Sequence, residues 1–176
     1  APQSGPIVVR FIQPNEVVLN EKGDTVGKPW KDLYLYAFTR VKVGGKFKDT
    51  PYSLDGKTSK WPGMKWTTTE TDQQGKVWHT WTMKPEIKEI YVIFTEGDKK
   101  PQTQDIYLTE NMCYVWNPYC GKAVEDIDCD GKGEDGLEEI IAWSKQADSS
   151  KFVSNGALYI RVGDTVYDIL GRKSMR

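Results

Sequence analysis

Asp32-Leu33-Tyr34-Leu35-Tyr36-Ala37-Phe38-Thr39-Arg40 alternates without interruption. In an extended chain successive side chains point to opposite faces, so Leu33 and Leu35 share one side while Asp32, Tyr34, Tyr36 and Phe38 share the other. Aliphatic residues opposite rings and a carboxylate predict a strand with one face in a core and the other toward water. Shorter segments of strand character recur on either side of it, over residues 7–12, 17–19, 65–71, 77–83, 87–95, 105–108 and 112–116. Turn formers separate them, among them Pro14-Asn15, Asn20-Glu21-Lys22-Gly23-Asp24, Gln73-Gln74-Gly75-Lys76, Gly97-Asp98 and Asn117-Pro118. No segment of helical period lies among them. The pattern predicts an all-β fold, an immunoglobulin-like antiparallel β-sandwich spanning residues 6–116. Residues 44–60, with Gly44-Gly45, Pro51, Asp55-Gly56 and several lysines, read as a polar loop outside the core.

From Pro118 the composition changes. Residues 117–135 are acidic and Gly-rich and read as a linker, followed by a small C-terminal extension over 136–176. Within it, 136–147 offers one short helix with Leu137, Ile140 and Ile141 on a side. A β-hairpin is expected from 157–162, a turn at Gly163-Asp164, and 165–170.

The chain of 176 residues is long enough for one well-buried domain and an appendage. Its 24 basic and 25 acidic residues are interspersed, with a net charge of -1, so no basic block favours nucleic acid. No apolar run approaches the about 18 residues a membrane-spanning helix needs. The opening Ala1-Pro2-Gln3-Ser4-Gly5-Pro6 lacks the features of a signal peptide and reads as a mature terminus or a cut fragment. Three cysteines, Cys113, Cys120 and Cys129, leave at least one thiol outside any intrachain pair, and with His79 as the lone histidine their spacing is not that of a zinc site. A Cys120–Cys129 disulfide and buried free thiols are both open at this point.

Aromatic residues make up 12% of a chain whose mean hydropathy is -0.60. Surplus rings in a polar chain suit wet interfaces, since Tyr and Trp pair an apolar body with a polar tip. Trp61 stands in the turn Trp61-Pro62-Gly63-Met64, after a polar loop where burial is hard, and Tyr34 and Tyr36 share a face with Asp32. The C–H face of a pyranose packs against such rings, and its hydroxyl rim needs amide or ammonium partners. Lys100 and Gln102, in Lys99-Lys100-Pro101-Gln102-Thr103, could supply them if the fold brings that loop to Trp61; alone it reads as a solvated hairpin tip. Two inclined rings fit a curved glucan and coplanar rings a straight one. Trp78, His79 and Trp81 read as core packing rather than a second platform, and Trp116 as structural.

Asp126-Ile127-Asp128-Cys129-Asp130-Gly131 resembles the opening of a calcium loop, but the twelfth position is Leu137 where a bidentate Glu is needed. A solvated acidic linker is the better reading. One histidine and no nucleophile elbow, phosphate loop or metalloprotease motif argue against an enzyme, and no cofactor or metal is called for.

The Tyr-rich strand 32–38, the Trp-Pro-Gly turn 61–64, and the tract from Val92-Ile93-Phe94 to Gln102-Thr103-Gln104-Asp105-Ile106 occur in one order. In this the chain resembles the starch-binding carbohydrate-binding modules of family 26, and more loosely family 25, over about residues 6–116. The resemblance implies a β-sandwich that binds maltooligosaccharides without catalysis, through Tyr34, Tyr36, Trp61, Lys100 and Gln102. It departs from the family in the long loop before Trp61 and in Glu96 and Asp98, where Asn and Gly are frequent. The tail from Lys151 is similar to C-terminal segments of secreted proteins in Bacteroidetes-type bacteria. That implies a secreted or cell-surface location and an attached α-amylase-type glycoside hydrolase. The expected partners are therefore starch and that hydrolase, with the chain a monomer. The runner-up is an immunoglobulin-like spacer or protein-interaction domain with its rings in the core; a glycan-cleaving enzyme comes third.

Overall fold

A computed structural model describes residues 4–98, 101–133, 149–154, 157–162 and 165–168. The chain divides into two units, Ala1–Gly133 and Glu134–Arg176. Strands of the first unit are β1 (Val8–Ile12), β2 (Val18–Leu19), β3 (Thr25–Gly27), β4 (Tyr34–Val43), β5 (Lys46–Tyr52) and β6 (Met64–Lys65). They continue with β7 (Thr69–Thr71), β8 (Val77–Thr82), β9 (Ile90–Thr95), β10 (Ile106–Leu108), β11 (Met112–Asn117) and β12 (Lys122–Glu125). One sheet has the order β12-β11-β1-β8-β7 and the other β10-β9-β4-β5, with β6 also paired to β4. Among the described residues there is no helix. The fold is an all-β sandwich.

The two sheets meet through rings. Phe94 on β9 packs 4.4 Å from Phe11 on β1, 5.5 Å from Trp66 and 6.1 Å from Tyr114 on β11, measured between ring centroids. Val9, Leu33, Leu35, Val92, Ile106 and Leu108 fill the space around them. Burying a side chain of this size contributes about 1.5–3 kcal/mol. Leu33 and Leu35 are buried, as their alternation predicts.

One departure from the expected architecture concerns pairing. β1 runs parallel to β11, Val9 opposite Met112 through Ile12 opposite Val115, so the first sheet is mixed rather than antiparallel. A parallel pair needs a long crossover, and here nearly the whole sandwich forms it. Residues 46–52, read as part of a polar loop, are strand β5, whose register with β4 runs from Ala37 opposite Tyr52 to Val43 opposite Lys46. Its residues are mostly exposed on both faces, so no apolar alternation announces it; backbone pairing with β4 supplies the order.

The stretch read as a linker begins with an edge strand. β12 turns back along β11, Tyr114 opposite Glu125, which delivers Asp126 to Cys113, whose carbonyl accepts the Asp126 N–H at 2.8 Å. Three residues later the chain reaches the Cys113 side chain, and the disulfide is Cys113–Cys129, with Cα atoms 5.5 Å apart. This corrects both readings of the cysteines: Cys120 is free and exposed near the β11–β12 turn, while the other two are bridged. Residues 126–133 then form a strap over the outer face of the first sheet. The buried Asp126 carboxylate accepts the N–H of Gly131 at 2.6 Å and of Asp130 at 3.4 Å, and the Lys76 ammonium donates to the Gly131 carbonyl at 2.9 Å. Trp78 lies buried on that outer face, its indole N–H donating to Asp72 at 3.0 Å.

His79 faces the opposite way, into the core, 5.7 Å from the Trp66 ring and edge-on to it. Burial pushes its imidazole below its usual pKa, and Nδ1 has no hydrogen-bond partner among the described residues.

The second unit holds β13 (Ser149–Ser154), β14 (Ala157–Val162) and β15 (Thr165–Asp168) in one antiparallel sheet of that order. The expected hairpin is present as β14–β15 and gains a third strand. The helix expected over 136–147 and the turn at 163–164 lie outside the described residues.

Two outcomes follow from this packing. Replacing Cys113 and Cys129 together by Ser should lower stability by about 2–4 kcal/mol, since the bridge closes a mid-sized loop in the unfolded chain; urea denaturation of the variant and the reduced wild type should agree. Folded His79 takes its proton less readily than unfolded His79, so protons favour the unfolded chain. Stability should be complete above about pH 6.5 and fall as pH drops below it. Denaturation midpoints across that range read the slope, and His79→Phe should flatten it.

Candidate functional site

Trp61 is placed by a tight turn. The Trp61-Pro62 peptide is cis and the Gly63 N–H donates to the Lys60 carbonyl at 2.7 Å, the arrangement of a type VI turn. Ahead of it, the Asp55 carboxylate organises the loop by accepting the N–H groups of Thr58 at 2.6 Å and Lys57 at 2.8 Å and the Ser53 hydroxyl at 3.1 Å. Those bonds, the one from Thr58 foremost, hold its carboxyl well below the usual range. Gly63 lies against β4 with a φ of 91°. A Cβ there would fall on the Leu35 carbonyl oxygen and stand 2.7 Å from the Tyr36 Cα, so only glycine permits the approach.

That approach sets the Trp61 ring beside Tyr36, with centroids 5.3 Å apart and planes inclined by 67°. Both side chains are partly exposed. Trp30, Trp66 and Trp78 are buried, while Trp81 and Trp116 pack against the core. Among the described tryptophans Trp61 alone is both partly open and outside these packed sets. Tyr34 lies two residues before Tyr36 on the same outer face but makes no ring contact with Trp61 among the described residues; beside it Asp32 pairs with Lys65 at 2.8 Å. The hydrogen bond between them holds the Asp32 carboxyl low and the Lys65 ammonium high. Burial, then the nearby Asp49 charge, raises the Tyr36 phenol.

The loop after β9 comes to the same place. The Trp61 indole N–H donates to the Asp98 carbonyl at 3.2 Å. Gln102 bridges Thr95, which in turn is the register partner of Tyr34, so Tyr34, Thr95 and Gln102 form one row across the sheet. Thr95 fastens the loop: its hydroxyl donates toward the carbonyls of Gly97 at 2.8 Å and Pro101 at 3.2 Å. Thr103 does the same below it, accepting the Phe94 N–H at 3.0 Å. Gln102 thus lies in the row that holds Tyr34, whereas Lys100 lies outside the described residues. Glu96 and Asp98 play parts of their own. The Glu96 carboxylate accepts the Lys31 N–H at 3.1 Å, and Asp98 serves Trp61 through its backbone. Gln104, in the same tract, is spent on structure, since its amide exchanges two hydrogen bonds with the Ala123 backbone on β12.

The aromatic surface runs further than the motifs disclose. From Tyr36 the rings continue through Phe38 at 5.8 Å, Tyr91 at 5.3 Å from Phe38, and Tyr107 at 4.8 Å from Tyr91. Arg40 covers Phe38 and Tyr91, its guanidinium carbon 5.2 and 4.8 Å from their ring centroids. It is held there by Asp49 at 2.7 Å and Asp105 at 2.9 Å, and those hydrogen bonds keep it more firmly protonated still. Tyr91 was within reach of sequence reasoning, because Tyr91, Ile93 and Thr95 alternate with Val92 and Phe94. Its meeting with Phe38 and Tyr107 required the register.

The fold and this surface define an all-β domain with an inclined, partly open aromatic pair on one sheet face. No protein family, curated protein or solved structure matches the chain.

Gly63→Ala should destabilise the domain by about 1–3 kcal/mol, with strain and backbone collision together. Gly44→Ala, also at positive φ but in open space, should cost less; thermal melts of the two variants make the comparison.

Proposed function

We propose that this chain is a non-catalytic module that binds α-1,4-glucan, meaning starch and its maltooligosaccharides. The observation that carries the reading is the Trp61–Tyr36 pair, two partly exposed rings inclined by 67° at 5.3 Å. A helical glucan turns its successive pyranose faces through an angle, so neighbouring units can each lie on one ring of an inclined pair. Gln102, in a row with Tyr34, is supported as the amide that meets the hydroxyl rim, with Lys100 beside it in the sequence. The ring planes are set before ligand arrives, by the turn at Gly63 and the indole bond to Asp98, so little ordering is left to offset on binding. A shallow, wet site of this kind should bind with dissociation constants on the order of micromolar to millimolar.

The module would hold an attached α-amylase-type glycoside hydrolase on its polymer and raise the local substrate concentration. A secreted or cell-surface setting accords with the Cys113–Cys129 bridge, since disulfides persist in oxidising compartments.

Maltoheptaose titrated against the chain should quench or shift tryptophan fluorescence saturably and release no new reducing ends. Trp61→Ala should weaken binding by at least about tenfold, as expected on losing a central aromatic anchor. Undiminished starch binding by that variant sinks the assignment. A fluorescence-silent wild type would favour a spacer, and released reducing sugar an enzyme.

A further inference from the structure

Beyond Phe38, β4 leaves the body of its sheet. Its last partner on β9 is Tyr91, opposite Phe38, and from Thr39 to Val43 only β5 accompanies it. The two strands close at Gly44-Gly45, both at positive φ (55° and 79°), as a two-residue hairpin turn requires. Residues 41–51 are exposed throughout, so both faces of this ribbon stand in solvent.

The composition of the ribbon is unusual for a surface hairpin. Its tip, Val41-Lys42-Val43-Gly44-Gly45-Lys46-Phe47-Lys48, carries three cations and no acid, in a chain whose charges otherwise nearly balance, while Arg40 below it is paired with Asp49 across the ribbon. Phe47 is 70% exposed, Val43 62% and Val41 52%. The register distributes them over both faces: Val41 lies opposite Lys48 and Val43 opposite Lys46, while Lys42 lies opposite Phe47 on the other side. Among the described residues none of Lys42, Lys46 and Lys48 is in an ion pair. Lys42 and Arg40 instead stand 6.0 and 5.8 Å from the Phe47 ring centroid.

That distribution discriminates between occupants. A flat protein partner would select one apolar face, and here the apolar side chains point to both. Strand addition would need an inviting edge, and the free edge on β5 carries Lys46, Lys48 and Pro51, residues that discourage pairing. A bilayer interface surrounds what enters it. Apolar tips can sink on both sides while lysine stems reach back to place their ammoniums among headgroup phosphates. We propose that the β4–β5 hairpin is a membrane-surface anchor that inserts Val41, Val43 and Phe47 into a bilayer carrying anionic headgroups. The attachment is weak and reversible, because three side chains bury little area, and it falls with salt as the cations are screened.

Co-sedimentation of the intact chain with phosphatidylcholine vesicles, with and without phosphatidylglycerol, tests the proposal. Binding should require the anionic lipid and weaken at high salt. Val43→Ser with Phe47→Ser, and separately Lys46→Glu with Lys48→Glu, should each reduce it by at least about tenfold. All four positions are exposed, so circular dichroism and maltoheptaose titration should be unchanged in both variants; the outcome is then independent of the glucan site. Absence of binding to anionic vesicles overturns the proposal. So does binding that ignores the Val43 and Phe47 changes, which would mean surface charge alone. A dimer in solution that Phe47→Ser dissolves, without vesicle binding, overturns it in favour of self-association.

Discussion

The packing of Phe94 against Phe11 is the contact on which the rest of this domain depends. It joins the two sheets at their centre, with Trp66 and Tyr114 closing around it. Because strand side chains alternate, sending Phe94 and Val92 inward sends Thr95, Ile93 and Tyr91 outward. On β4, the register partner of Phe94 is Leu35, so Tyr34 and Tyr36 must also face out. The aromatic surface is therefore the obligatory complement of the core. Thr95 and Thr103 then fasten the loop that brings the Asp98 carbonyl to Trp61 and sets Gln102 in a row with Tyr34.

The outer faces of the two sheets are treated differently. On the first, Trp78 is buried on the face crossed by a strap bolted by Cys113–Cys129 and by Lys76. On the second, an arginine clasped by Asp49 and Asp105 covers the middle of a row of rings and leaves its two ends more open, at Trp61 with Tyr36 and at Tyr107. Surplus aromatic side chains in a polar sequence are thus divided between concealment and display, Trp78 concealed on the first sheet and a row of rings displayed on the second.

How much of this could be read from the chain follows from what each element relies on. The strand around Tyr34 and Tyr36 was legible because one of its faces is in the core and its composition records that. Trp61 was legible because proline and glycine beside a tryptophan advertise a turn. Strand β5 was not, since Lys46, Lys48 and Thr50 look the same in a loop and in a ribbon wet on both sides. The cysteine pairing depended on β12 returning along β11, a three-dimensional fact with no local signature. Tyr91, Tyr107 and Arg40 entered the surface only through the alignment of neighbouring strands.

The disulfide also decides how the first unit would respond to tension. The edge strand β12 lies wholly inside the loop that Cys113–Cys129 closes. A pull transmitted along the backbone from the C-terminal unit would pass through the sulfur bridge into β11, which is flanked by neighbours on both sides. The outermost strand is thereby bypassed by such a pull, and the load falls on a strand held by neighbours on both sides.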